Sequence, residues 1–297
     1  MVEHPEASED YVIDQGWADY RAEDHAIWRT LFERQSRLLP GRACREYVAG
    51  LQGLGVAAEG IPDFERLSDI VERATGWRIV AVPGLVPDDV FFRHLAARRF
   101  PATNWIRRPE QMDYLQEPDV FHDIFGHVPV LMHPVFADYM QAYGRGGLKA
   151  LHLGALPYLA RLYWYTVEFG LIRTGEGLRI YGSGIVSSRA ESIYCLESEK
   201  PKRIAFDLMR VMRTQYRIDD LQESYFVIDS FDQLFAATRP DFTPYYQELK
   251  RRPDIAPGVV LTSDRLVSAG VAHGGDRPRQ RGARGRTDEA LDRIAAD

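Results

Sequence analysis

The segment Leu156–Ile172, LPYLARLYWYTVEFGLI, constrains this chain more than any other. It is of helix length and apolar or aromatic nearly all round, so as a helix it has no face to give to water and must sit inside a large core. A chain of 297 residues can build such a core, burying most of its unfolded surface without a disulfide or metal staple. One residue in the run is out of place. Glu168 lies four residues after Trp164 on the same helical face, and a carboxylate there is costly to desolvate unless it is ion-paired or metal-bound. Arg161, or an arginine elsewhere, would serve the first alternative; a metal centre would serve the second.

The densest chemical signal is Glu117–Val130, EPDVFHDIFGHVPV, in which His122 and His127 stand five residues apart. At about 100° per residue, an unbroken α-helix would aim the two rings roughly 140° apart. Gly126 and Pro129 flank the second histidine, and both oppose regular helix, so a break there lets His127 turn back toward His122. The pattern differs from the HExxH metalloprotease helix, because Asp123 follows the first histidine and no Glu lies between the two. Two satisfied structural histidines are the plain alternative. With Glu168, however, the pair forms the two-His-one-carboxylate set of non-haem Fe(II) oxygenases, which two-His-one-Glu zinc hydrolases share. Donors alone do not choose between iron and zinc. Phe121, Phe125, Trp164 and Phe169 are read as an aromatic lining, which suits a flat apolar substrate better than a peptide.

The rest of the chain reads as mainly helical. Ile27, Trp28, Leu31 and Phe32 share a helical face, and Pro62–Thr75 has an apolar stripe (Leu67, Ile70, Val71) with Gly76 as its stop. Asp88 and Asp89 open a helix carrying Phe91, Phe92 and Leu95, while Arg78–Val82, Leu178–Tyr181 and Tyr225–Ile228 read as strands. Ser230 is placed to cap the helix that follows. There is no strand–helix alternation of the kind that builds a doubly wound sheet. The expected fold class is therefore mainly α (α+β), a single helical catalytic domain with a few short strands. It spans 9–268, after a loose N-terminus (1–8) and before a disordered tail (269–297). Within that tail Gly274–Arg286 carries five arginines and almost no apolar residue, and the segment is expected to be dispensable for catalysis. A net charge of -6 argues against a nucleic-acid or anionic-membrane binder. The two cysteines, Cys44 and Cys195, form no framework, which fits a reducing compartment. There is no signal-peptide pattern and no apolar run of about 18 residues, so the reading is soluble and cytoplasmic.

The segments EPDVFHDIFGHVP, LYWYTVEFGLI and IYGSGIVSSRAES resemble signature blocks of the pterin-dependent aromatic amino acid hydroxylases. Further likeness runs through YRAEDHAIWRTLFERQ at Tyr20, CREYV at Cys44 and YFVIDSF at Tyr225, and is strongest toward the single-domain bacterial members. The resemblance implies that His122, His127 and Glu168 hold Fe(II). It implies that Arg107, in WIRRPE, grips the amino acid carboxylate and that Asp119 orients it; without the likeness, Arg107 would be read as a surface ion pair. Trp164, Phe169, Gly184 and Ser187 match the substrate-pocket wall. Leu85, Val86, Asp88 and Phe91 match a pterin-binding loop, with Phe91 stacked on the pterin and Tyr163 and Glu191 near the same cavity. The implied activity is a monooxygenase converting L-phenylalanine to L-tyrosine with O2 and a tetrahydropterin (tetrahydrobiopterin or a related pterin). It would be a monomer acting on small molecules, with neither nucleic acid nor membrane as partner. Leu115 stands where animal relatives carry a pocket threonine, and Ile218 where tyrosine-specific relatives carry aspartate, which favours phenylalanine. Tryptophan or tyrosine hydroxylation is the rival within the family, and zinc-dependent hydrolysis the rival outside it.

Overall fold

Local chemistry sets most element boundaries. The helix Phe64–Thr75 begins where the Asp63 carboxylate accepts the Glu65 N–H, ends at Gly76 in the left-handed region, and buries Leu67 and Val71. Ser230 caps Phe231–Thr238 in the same way, accepting the Gln233 N–H as expected. The structure, a computed structural model, describes residues 9–113 and 115–268. Among these residues there are twelve α-helices and six strands, in line with the mainly helical expectation. The expected loose N-terminus and the arginine-rich tail lie outside the described residues. No helix among the described residues is long and apolar enough to cross a membrane.

The strands are β1 (Arg78–Val82), β2 (Arg99–Thr103), β3 (Leu171–Thr174), β4 (Gly177–Ile180), β5 (Lys202–Ala205) and β6 (Ser224–Ile228). β1 and β2 pair in parallel, with Arg78 opposite Arg99. The others form one sheet in the order β4–β3–β6–β5, antiparallel between β3 and β4 and parallel elsewhere. The apolar run Leu156–Ile172 is not one helix. It is an α-helix over Leu156–Tyr163, a π-helical turn over Trp164–Glu168, and then the start of β3.

The candidate metal segment is braced from behind. Phe121 and Phe125 stack at 4.7 Å, and Trp28, Phe32 and Tyr47 pack edge-on against them. Both phenylalanines are fully buried, so they belong to the core and not to the substrate lining expected of them. The helix Arg45–Leu54 closes the bracing, because Gly50 lets it approach Pro129: a Cβ on Gly50 would lie 1.9 Å from the Pro129 carbonyl oxygen. Pro129 has no N–H to offer the Phe125 carbonyl four residues back, and the Tyr47 hydroxyl from the same helix donates to it at 2.8 Å. Gly50→Ala must therefore push this helix outward and loosen the Tyr47 bond. Overpacking of this kind costs typically about 1–3 kcal/mol, so urea denaturation should show a lower midpoint with an unchanged slope.

Candidate metal centre

Both segments that carry the candidate ligands are π-helical, His122–His127 and Trp164–Glu168. In the second, the Phe169 N–H reaches the Trp164 carbonyl at 2.8 Å, five residues back. This wide turn is what a five-residue spacing needs, since i→i+5 bonding brings residues five apart to one side. The helix is widened at the histidines, where the sequence had pointed to a break. Gly126 has a different task from the one expected of it: a Cβ there would sit 3.0 Å from the Ser183 carbonyl oxygen, so its absence lets the turn close on the helix Ser183–Ser187.

The two Nε2 atoms of His122 and His127 lie 3.1 Å apart. Glu168 faces both, with Oε1 3.2 Å from His127 and Oε2 3.6 Å from His122. Two serines fix the ring tautomers. The single Ser183 hydroxyl proton lies between the Val167 carbonyl at 2.8 Å and His127 Nδ1 at 2.9 Å. A carbonyl can only accept, so the proton goes there, and Ser183 must accept from Nδ1–H. Ser187 repeats the arrangement, donating to the Ser183 carbonyl at 2.7 Å and accepting from His122 Nδ1 at 2.9 Å. With Nδ1–H committed to the serines, an Nε2 lone pair of each ring is free to turn inward. Burial pushes His122 down to about 4 in spite of the nearby Glu168 charge. Burial also works to raise the Glu168 carboxyl, but the two histidines and the Gly184 N–H together hold it below its ordinary value.

These donors suit a divalent ion. Metal–nitrogen bonds of about 2.1 Å meeting at right angles place donor atoms about 3 Å apart. Asp123 also comes within 4.8 Å of both histidines, but its Oδ2 accepts the Thr103 N–H and hydroxyl at 2.8 and 2.9 Å. Glu168 is therefore the better third donor. Nor is Glu168 paired with Arg161, whose guanidinium meets Asp254 at 2.6 and 2.7 Å.

Arg107 is buried, not a surface ion pair. Its Nε and Nη2 meet Asp119 at 2.8 and 2.9 Å, and Asp119 also accepts the His122 N–H at 3.0 Å. Burial would raise the Asp119 carboxyl, but the Arg107 contacts and the His122 N–H together hold it below its ordinary value. Asp119 takes one edge of the guanidinium and leaves Nη1 without an acceptor among the described residues.

The aromatic wall stands on the carboxylate side. Trp164 lies between Tyr216, stacked at 4.3 Å, and Phe169 at 4.7 Å. A Cβ on Gly184 would come within 3.0 Å of the Phe169 ring and 3.2 Å of Glu168 Oε2, so this wall adjoins the candidate ligand. On the other side Phe91 meets Tyr163 edge-on at 5.9 Å, and Tyr163 in turn lies 6.3 Å from the His127 ring. Leu85 (73% exposed), on the loop before the helix Asp88–Ala96, and Asp88, at that helix's start, stand open to solvent, with Val86 half-buried. Glu191 faces the interior: its Oε1 accepts the Gln222 N–H at 3.0 Å and its Oε2 meets the Tyr225 hydroxyl. Ser183, Tyr216 and Gln222 are absent from the sequence-derived site. Only Ser183 had a signal, lying one helical turn before Ser187 in the block IYGSGIVSSRAES.

Residues 13–256 match the family described as biopterin-dependent aromatic amino acid hydroxylase, and the chain belongs to that family. Membership chooses the hydroxylase over the zinc hydrolase that the same donors allowed. A protein of Ralstonia nicotianae called phenylalanine-4-hydroxylase is 65% identical over 265 residues, covering 89% of this chain and 85% of its own. Its counterpart in Chromobacterium violaceum is 62% identical and covers 89% of both chains. The iron- and phenylalanine-bound crystal structure of the Chromobacterium violaceum enzyme superposes with a TM-score of 0.84 at 59% identity, over 88% of this chain and 95% of that one.

Burial raises the Glu191 carboxyl from 4.5 to about 7, against the Tyr225 and Gln222 hydrogen bonds that lower it. A folded-state value above the unfolded one gives stability that is complete below the unfolded value and is lost as pH rises through the folded one. The wild type should therefore lose on the order of 1–3 kcal/mol between pH 4.5 and 7 relative to Glu191→Gln. Denaturant titrations of both proteins across that window will measure it.

Proposed function

We propose that this chain hydroxylates L-phenylalanine to L-tyrosine with O2 and a tetrahydropterin, at a mononuclear Fe(II) held by His122, His127 and Glu168. The observation that carries the reading is the inward convergence of two tautomer-fixed imidazoles on one carboxylate, in a member of this family. When bound, the iron and the pterin supply O2 activation and the two electrons that monooxygenation consumes. The chain's own work is binding, orientation and exclusion of water. Arg107 offers its outer edge to the substrate carboxylate in two parallel hydrogen bonds, and Asp119 keeps that edge aimed. Trp164 and Phe169 wall the substrate ring, Gly184 leaves it room beside Glu168, and Ser187 holds His122 in its tautomer. Leu85 and Val86, with Asp88 at the start of the following helix, bind the pterin, with Phe91 against the pterin ring and Tyr163 behind it. Glu191, assigned to the pterin side by the resemblance, has both carboxylate oxygens engaged by the Gln222 N–H and the Tyr225 hydroxyl, and supports the site from behind. The catalytic unit is 9–268, acting as a monomer in the cytoplasm.

Two substitutions test this assignment. Glu168→Gln should lower iron content in elemental analysis and nearly abolish tyrosine formation while circular dichroism stays unchanged; wild-type iron and turnover would refute the ligand set. Arg107→Lys keeps a positive charge near Asp119 but lacks the second edge. Charge-assisted hydrogen bonds are worth roughly 1.5–3 kcal/mol, so isothermal titration should show phenylalanine binding weakened ~10–100-fold with iron binding retained.

A further inference from the structure

Gln222 is buried, and its amide orientation is set by its neighbours' chemistry. Nε2 lies 3.0 Å from the Arg217 carbonyl and 3.2 Å from the Asp220 carbonyl, which can only accept. Oε1 lies 2.9 Å from Trp164 Nε1–H, which can only donate. A flipped amide would lose all three bonds. The backbone N–H of Gln222 is itself anchored on Glu191 at 3.0 Å, and Glu191 is held from its other side by Tyr225. Gln222 therefore closes the loop from Arg217 to Leu221 and at the same time grips the one polar atom of the indole.

That indole stacks on Tyr216 at 4.3 Å and meets Phe169 at a tilt at 4.7 Å, and Phe169 adjoins Gly184 and the Glu168 carboxylate. Ring stacking fixes a separation but leaves sliding and in-plane rotation soft. The Nε1 hydrogen bond removes that freedom. We propose that Gln222, anchored by Glu191, is a positioning residue for the aromatic amino acid, setting the pitch of Trp164 and so the slot into which the substrate ring fits. This rests on the reading of Trp164 as the substrate wall.

A double-mutant cycle tests it on the iron-loaded, full-length enzyme, with phenylalanine and tetrahydropterin as substrates. Gln222→Leu leaves the indole N–H buried without an acceptor, so KM for phenylalanine should rise roughly 10-fold, with iron content unchanged and a smaller change in kcat. In a Trp164→Phe background there is no N–H to satisfy, and Gln222→Leu should then change KM little. Equal effects in both backgrounds, or an unchanged KM in the single variant, would overturn the proposal and leave Gln222 as a loop anchor only. Should Gln222→Leu not fold, Gln222→Glu keeps the acceptor for the indole while losing both donors to the loop; KM within about twofold of wild type supports the proposal, and a rise as large as that of Trp164→Phe overturns it. If the wild-type enzyme itself makes no tyrosine, it is the functional reading that fails, and that result is separate from the cycle.

Discussion

Two imidazole lone pairs and a carboxylate, largely shielded from water and some three ångströms apart, repel one another unless positive charge lies among them. The surrounding architecture maintains that condition. The serine hydroxyls spend their protons on carbonyls, so His122 and His127 have no choice of tautomer and present only lone pairs to Glu168. Left without a cation, the same groups would need a shared proton to offset their repulsion. The centre is thus wired as an acceptor-only cage, and ligand orientation is decided one shell away from the donors.

The same cage explains the division of aromatic labour. Phe121 and Phe125 point away from the centre into Trp28, Phe32 and Tyr47, giving the ligand turn a rigid backing. Trp164 and Phe169 stand on the opposite, more open side, next to the carboxylate. Asp119 joins the two functions, since one carboxylate orients Arg107 and accepts the first N–H of the ligand turn. The aim of the Arg107 guanidinium and the placement of His122 therefore share one buried group.

Much of this was legible in the residues. Gly76 and Ser230 mark helix ends through backbone and side-chain chemistry that is local, while the helix read from Pro62 begins at Phe64, capped by Asp63; Arg78–Val82 reads as a strand at its true bounds. The trio His122, His127 and Glu168, which the structure brings together, stood out as candidate ligands because a lone carboxylate in an apolar run demands a partner. Other features were hidden for physical reasons. β2 carries Pro101, which argues against a strand but is tolerated where only one neighbour pairs. β3 is concealed inside an apolar run in which period 2 and period 3.6 look alike. The facing of Phe121 and Phe125 depends on the width of the turn that carries them, and no residue pattern announces a π-turn. Gln222 and Tyr216 act through tertiary contacts across the chain, where spacing carries no information.

The widened turn at His122–His127 also makes the centre a matter of counting. A π-turn holds a surplus residue relative to the α-helix that could replace it, so its ladder can be restored by removal of any one of Asp123, Ile124, Phe125 or Gly126. The histidines would then stand four apart on a regular helix, about 40° apart around its axis, with the ring of His127 and everything after it moved in register. The helix Val128–Leu131, whose Pro129 carbonyl lies tight against Gly50, could not follow. The number of residues between the two histidines is thus as much a part of the candidate metal site as the donors themselves, and a change in that number would shift the donors with every one of them still in the chain.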